Sequence, residues 1–383
     1  MRLSALRTIR EKRILAAICF GILCVMIVAA FWPFEFHPSN HVTWLSDENG
    51  LRFNGGGIVL SSRDFELADS RSTAGVSLEF WLEPSQEKSS AALLSFSSHD
   101  NPEQFRLRQS HDFLLVVQEL FATSRHTAAR WLWVPHAFQV HKRRFITITS
   151  GTQGTTVYLD GILAESLSTF RIRAKDFTGQ LIVGTSPVAY DTWRGKLFGV
   201  VVFGRELAAA QVSEHYQAWL NGRTELVQSD HPAALYTFGE RSGSVVHNQV
   251  ISGPDLAIPA SFRVPYKPFL KSPWREFYPN QAYVRDVFIN IAGFVPLGFF
   301  FCLVFSSSEA SRKSVIATII LGAVFSLTIE VLQGFIPTRD SGTTDLITNT
   351  LGTALGAMLC RSEALEVLLG RIESAVSHKA SHK

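Results

Sequence analysis

"IEVLQGFIPTRDSGTTDLITNTLGTALG" (residues 329–356) sets carboxylates, amides and an arginine into an apolar stretch. Glu330 and Gln333 are three apart, and Asp345 and Asn349 are four apart. On helices each pair shares a face. Asp345, Asn349 and Gly352 form a D-x-x-x-N-x-x-G pattern, which also occurs earlier as Asp286, Asn290 and Gly293. Apolar runs flank these groups at 287–305, 315–329 and 346–360, and another covers 14–32. About twenty such residues cross a bilayer. Three runs this close together, parted by short polar loops, point to membrane helices rather than a buried soluble hairpin. The last run covers only about 22 Å at 1.5 Å per residue. It therefore has to start before Leu346, thin the bilayer, or pack partly shielded.

The run at 14–32 follows a basic head, Arg2, Arg7, Arg10, Lys12 and Arg13 against Glu11. A signal peptide has a shorter apolar core and a small-x-small cleavage site. Here bulky Phe31-Trp32-Pro33-Phe34 follows, so an uncleaved helix is expected. Basic residues in short loops mark the cytoplasmic side. Arg312 and Lys313 sit in one loop, and Arg361, Arg371, Lys379 and Lys383 in the tail. The opposite loop has only Arg339, beside Asp340. Four spans put every basic segment on one side. The expected plan is a cytoplasmic head (1–13), a first span (14–33), an extracytoplasmic segment (34–284), three further spans (285–361) and a cytoplasmic tail (362–383).

In that plan Asp286, Asn290, Glu330, Gln333, Arg339, Asp340, Asp345 and Asn349 share one depth near the outer leaflet. Ionisable groups in hydrocarbon turn inward, pair, or reach water. Two readings stand. Asp286 and Asp345 simply start their helices in a packing network, or the cluster is a polar pocket open to the outside. In the second reading Glu330 or Asp345 is a general base and Arg339 a phosphate or carboxylate clamp. Gly293, Gly298, Gly352 and Gly356 would let helices approach closely.

The segment between the first two spans reads differently. Short alternating stretches such as 76–82, 145–148 and 155–159 are separated by turn residues. Asp160-Gly161, between two strand patterns, is a strong hairpin signal. Many short strands without helical runs imply an all-β sandwich.

Composition agrees with a chain of two natures. Over 383 residues, 46% are hydrophobic and 18% charged, which excludes a disordered chain. The net charge of +3 gives no case for nucleic acid. The four cysteines, Cys19, Cys24, Cys302 and Cys360, lie in or at the end of apolar runs and make no disulfide framework. An exported region without cysteine suits a bacterial envelope protein better than an animal secreted one.

The sandwich carries three sets of residues that bear on binding or chemistry. Trp131, Trp133 and Trp193 could stack on sugar rings. Trp131 and Trp133 flank Leu132 and so share a face, for which core is the simpler reading. Glu79 and Glu83 sit four apart on one strand face, a weak sign of glycan hydrolysis by paired acids. The ten histidines of this region suggest no dedicated metal site, and no compact calcium loop is present. No cofactor is expected.

The order of the strand patterns, "LRFNGGGIVL" (51–60), "VSLEFWLEP" (76–84), "TTVYLDGILAES" (155–166), "GQLIVGT" (179–185) and "WRGKLFGVVVFGRELAAAQVSEHY" (193–216), resembles the laminin-G-like, or concanavalin-A-like, jelly roll over 45–226. Relatives of that fold often bind carbohydrate or protein, sometimes with calcium. Residues 233–262, within a trailing segment 227–284, resemble a piece that usually opens such domains; here it either adds a strand or is permuted. "WPFEF" (32–36), "RDVFINIAGFVPLGF" (285–299) and the opening stretch resemble the VanZ-like membrane family. The matching positions are Asp286, Asn290, Phe294, Pro296, Leu297, Gly298, Glu330, Gln333, Arg339, Asp345, Asn349, Gly352 and Gly356. That resemblance implies a bacterial cytoplasmic-membrane protein, multi-pass, with both termini cytoplasmic. The expected partners are membrane lipid and an envelope polysaccharide, peptidoglycan or exported protein. The alternative is a membrane enzyme or lipid-handling protein acting on a lipid-linked or cell-wall precursor.

Overall fold

Every residue of "VSLEFWLEP" (Val76–Pro84, β4) is buried, although apolar and polar side chains alternate along it. Successive side chains of a strand point to opposite faces. Val76, Leu78, Phe80 and Leu82 enter the main core. Ser77, Glu79 and Trp81 point the other way and meet Leu207, His215 and Trp219. The last two belong to helix α2 (Ala209–Leu220). Both faces of this strand are therefore covered, one by a second sheet and one by a helix.

The computed structural model describes residues 9–67, 75–86, 90–123, 126–251, 253–277, 280–306 and 312–361. The basic head through residue 8 and the tail from 362 fall outside that set. The chain divides into two compact units, Met1–Phe36 with Pro268–Lys383, and His37–Lys267.

The unit His37–Lys267 is a sandwich of two antiparallel sheets. The first runs β1 (Val42–Trp44), β2 (Leu51–Asn54), β13 (Arg194–Phe203), β4, β9 (Arg144–Gly151), β10 (Gly154–Leu159) and β11 (Ile162–Leu167), with β14 (Ala234–Tyr236) also on β13. The second runs β15 (Val245–Val246), β16 (Leu256–Ala257), β3 (Val59–Ser61), β12 (Gln180–Val183), β5 (Ser90–Ser97), β6 (Phe105–Ser110), β7 (Phe113–Thr123) and β8 (His126–Val134). The β10–β11 hairpin turns at Asp160 and Gly161, both at positive φ. Asp160 supports that turn, accepting from Phe145 N at 2.9 Å and Arg144 Nη1 at 2.5 Å.

The trailing segment belongs to the sandwich and serves both sheets. β14 pairs Val200–Val202 of β13, on the edge where β2 pairs Arg194–Leu197. β16 pairs β3 in the other sheet. Entry and exit of the unit are clipped together. Ser39 bridges Ser261, Asn40 N donates to Ala260 O at 3.1 Å, and Phe262 N to Pro38 O at 2.9 Å. Adjacent ends are what insertion into a loop requires.

The other unit contains α1 (Ile9–Phe31), α4 (Pro273–Glu276), α5 (Gln281–Phe305), α6 (Arg312–Gln333) and α7 (Thr343–Arg361); α3 (Thr224–Ser229) belongs to the sandwich. Arg13–Phe31, Gln281–Phe305 and Arg312–Gln333 are long and apolar enough to cross a membrane. α7 starts at Thr343, three residues before the apolar run, and its length corresponds to about 28 Å. Its buried side is small and polar, including Thr348, Asn349, Gly352, Thr353 and Gly356. Its exposed side carries Ile347, Leu351, Leu355, Met358 and Leu359.

α7 lies against α5 backbone to backbone. A Cβ at Gly352 would come 2.2 Å from Ile291 O, at Gly356 2.0 Å from Val295 O, and at Gly298 2.1 Å from Thr353 O. Gly293 does not share this role, because nothing lies within 4 Å of its Cβ position. Two of its threonines satisfy their hydroxyls on their own helix: Thr348 Oγ1 donates to Thr344 O at 3.0 Å and Thr353 Oγ1 to Asn349 O at 3.0 Å.

Candidate functional site

The second sheet leaves an aromatic face open. Val117 pairs with Trp131 and Leu115 with Trp133, while on the next strand Arg106 pairs with Val117 and Arg108 with Leu115. Directly opposite residues share a face. Two rows result, Trp131–Val117–Arg106 and Trp133–Leu115–Arg108. The tryptophans keep 47% and 50% of their surface exposed, whereas Leu115 and Val117 on the same face are buried. Phe113 meets Trp133 edge-on at 6.0 Å. Each arginine is tied down: Arg106 to Glu119 at 2.9 Å and to Glu103, Arg108 to Asp191.

The simpler expectation for Trp131 and Trp133 is reversed. Leu132 and Val134 are the core residues of β8. Alternation identifies the two faces, but with apolar residues on both it does not say which is inward. Trp193 is corrected in the opposite sense. It is 1% exposed, packs on Phe53 with centroids 5.8 Å apart, and donates Nε1–H to Gln109 Oε1 at 2.8 Å. Neither of its ring faces is open to a sugar. Trp81 is core as well, between Phe145 and Trp219.

Glu79 and Glu83 are not a pair of acids. Glu83 binds Lys196 Nζ at 2.8 Å. Glu79 accepts from His215 Nδ1 at 3.0 Å, and His215 Nε2 lies 3.0 Å from Asp230 Oδ2. Asp230 also meets Arg205 Nη2 at 3.2 Å. His215 thus staples α2 to the first sheet. Burial alone would lower its pKa, but the carboxylates on either side outweigh burial and raise it. Periodicity gave no hint of this staple, because its members are 136 and 15 positions apart.

In the helical unit the polar residues separate into local bonds. Glu330, 1% exposed, accepts from Gly342 N at 2.7 Å. Asn290 Nδ2 donates to Asp345 Oδ1 at 2.7 Å. Asn349 Nδ2 donates to Ser326 Oγ at 3.0 Å. Gln333 Nε2 donates to Ala30 O at 3.0 Å, and Arg339 Nη2 to Ala29 O at 3.2 Å and Trp32 O at 2.9 Å. Gln333 and Arg339 therefore satisfy carbonyls at the C-terminus of α1. Asp340 binds Lys271 Nζ at 2.8 Å. Asp286 is exposed beside Arg285. It does not start its helix: α5 begins at Gln281, capped by Asn280, which accepts from Tyr283 N at 2.8 Å. Asp345 does lie in the first turn of α7.

Two participants had no signal in the sequence. Glu276 Oε2 accepts from Thr344 N at 2.9 Å. Lys271 forms a parallel bridge with Gly342, and its carbonyl accepts from Thr343 N at 2.9 Å. Both come from an irregular segment with no periodicity to read. Among the described residues, no group of three or more His, Cys, Asp or Glu is placed to hold a metal ion.

Comparison with known proteins fits this division. Residues 54–213 match a family described as the concanavalin A-like lectin/glucanases superfamily. Residues 236–368 match VanZ/LLP1, a match that begins inside β14 of the sandwich. No curated protein matches. Among solved structures, the chain is similar to a heptameric SAP-like pentraxin from Limulus polyphemus, at 13% identity over 58% of this chain and 94% of that one, with a TM-score of 0.34. It is also similar to a Trypanosoma rangeli sialidase, at 16% identity over 47% of this chain and 29% of that one, with a TM-score of 0.35. The binding domain of Paraclostridial Mosquitocidal Protein 1 gives 12% identity over 48% and 47%, with a TM-score of 0.36.

Proposed function

We propose that this chain, in which a concanavalin-A-like sandwich precedes a VanZ-like helical region, is a bacterial cytoplasmic-membrane protein that recognises an envelope glycan. Recognition lies on the outer face of the second sheet, at Trp131 and Trp133. The helical unit is the anchor. Four spans, both termini in the cytoplasm and residues 34–284 outside are the arrangement adopted here. The inside-out pattern of α7, small and polar inward and apolar outward, supports the fourth span.

The single observation that carries the reading is the exposed pair Trp131 and Trp133 on one sheet face. A soluble domain with this much core has no packing reason to leave two indoles half in water. Indole faces stack on the apolar faces of pyranose rings, and exposed aromatic patches mark binding surfaces. The test is a glycan array probed with the full chain in nanodiscs, including cell-wall fragments and exopolysaccharides. The expected result is binding to a defined set of saccharides. A folded protein that binds none of them would overturn the reading.

Chemistry on a lipid-linked or cell-wall precursor is the weaker reading. Glu330, Arg339 and Asp345 would be its base and clamp, but each has a partner inside the helical unit. If Glu330→Gln, Arg339→Ala and Asp345→Asn proteins fold and keep the phenotype of the wild type, that reading is lost.

A further inference from the structure

One end of the helical unit is ringed by exposed aromatic side chains. α1 ends there, α5 starts there, α6 ends there and α7 starts there. Gln333 and Arg339 tie the α6 end to the α1 end through Ala29, Ala30 and Trp32 carbonyls. The segment 268–277 crosses the same end as a strap. Its Lys271 pairs with Gly342, its Glu276 holds Thr344 N at 2.9 Å, and its Phe269 ring lies 2.6 Å from where a Cβ would stand on Gly334. The strap is thus a fixed part of the bundle.

Trp274, Phe277 and Phe269 on the strap are nevertheless exposed, Trp274 at 69%. So are Trp32 and Phe34 after α1, and Phe335 after α6. Charged groups share this layer: Lys271 with Asp340, and Arg339 on the α1 carbonyls. Arg285 and Asp286 of α5 are exposed as well. Further along the helices Val25 of α1, Phe288 of α5 and Ile347 of α7 are exposed apolar residues.

We infer that this end of the helical unit is seated in the lipid headgroup layer, with the strap 268–277 lying in the membrane interface. Indole and phenyl rings interleaved with fixed charges suit that layer, where one side is apolar and the other wet. The occupant is lipid rather than a protein. The aromatic residues come from three separate parts of the end, and they continue into the exposed apolar faces of helices long enough to cross a bilayer. The membrane boundary therefore falls at about residue 268, not at the start of α5. The aqueous part of the extracytoplasmic segment is then the sandwich alone.

The test places a fluorescent label at residue 274 (Trp274→Cys) and, in a second protein, at residue 25 (Val25→Cys) within α1. Both use the full chain with its four native cysteines replaced, reconstituted in nanodiscs. Quenchers are carried on the lipid headgroup, on the middle of the acyl chain, or free in water as iodide. The label at 274 is expected to be quenched at least two-fold more by headgroup than by mid-chain quencher, with the order reversed at 25. Quenching at 274 by iodide alone overturns the inference. Quenching at 274 with the same depth profile as 25 overturns it as well. Where Trp274→Cys does not yield folded protein, the same reading is made at Phe277→Cys.

Discussion

The two units treat polar and apolar side chains in opposite ways. The sandwich buries Phe, Leu, Val and Ile in a core between its sheets. The helical unit buries Glu330, Asn349, Thr353 and glycines, and exposes Ile, Leu, Val and Phe. Each unit is what its surroundings demand. The exceptions are therefore the informative residues. In the sandwich they include the exposed Trp131 and Trp133 and the buried Glu79. In the helical unit they are Glu330, which accepts from a backbone N–H, and Asp345, which accepts from an amide. The sandwich handles Glu79 the other way, with a histidine.

That contrast is most exposed to failure at His215. Removing the imidazole as His215→Ala leaves Glu79 fully buried without its partner, a loss on the order of 3 kcal/mol or more. Thermal unfolding of the full chain, read by exchange of sandwich amides, measures it; an unchanged sandwich would show that the staple does not matter. The same residue sets a pH dependence. Its folded pKa is raised, so the staple is fully formed below the unfolded value of about 6.5 and is lost as pH rises through the higher folded value. Sandwich stability should fall as pH rises from the unfolded value through the raised folded one, and His215→Gln should flatten that slope. Glu79, whose own carboxyl pKa is raised by burial, Asp230 and Arg205 are the groups that face the imidazole.

In the helical unit the sharpest contrast is between two glycines of the repeated pattern. Gly352→Leu drives a side chain into the Ile291 carbonyl and should cost about 1–3 kcal/mol or more, as overpacking does. Gly293→Leu meets open space and should stay within about 0.5 kcal/mol. Unfolding in nanodiscs separates them. Equal losses would mean that α5 and α7 do not approach at Gly352. Glu330→Gln keeps an acceptor for Gly342 N and should cost less than Glu330→Ala, which strands that N–H at about 1–3 kcal/mol.

Much of this division is legible in the sequence. Apolar runs of about twenty residues mark helices, and period-two stretches with Asp160-Gly161 mark the sandwich. Both signals are local, because they reflect the solvent each segment meets. What escapes is what depends on distant partners. The repeat predicts equal roles for Gly293 and Gly352, but only the latter faces a neighbouring backbone. Asn290 and Asp345 are both flagged, yet their bond to each other joins two helices. Arg339 reads as a clamp for an anion and is instead bonded to the carbonyls of α1. Glu276 and Lys271 sit in a segment with no period at all. The tryptophans show the same limit: alternation on β8 gives two faces, and only the packing of Leu132 and Val134 into the core decides which one is wet.

The residues on which function is proposed to rest also contribute to stability. Trp131→Ala and Trp133→Ala each remove a half-buried indole beside buried Leu115 and Val117 and should cost about 1–3 kcal/mol. The decisive measurement is a binding titration of the full chain in nanodiscs with a saccharide identified on the array. Wild type is compared with Trp131→Ala/Trp133→Ala and with the buried control Trp193→Phe. The account predicts that the double variant loses affinity by at least ten-fold, about 1.4 kcal/mol, while Trp193→Phe binds like wild type once folded. Unchanged affinity in the double variant would contradict it and move recognition off this sheet face.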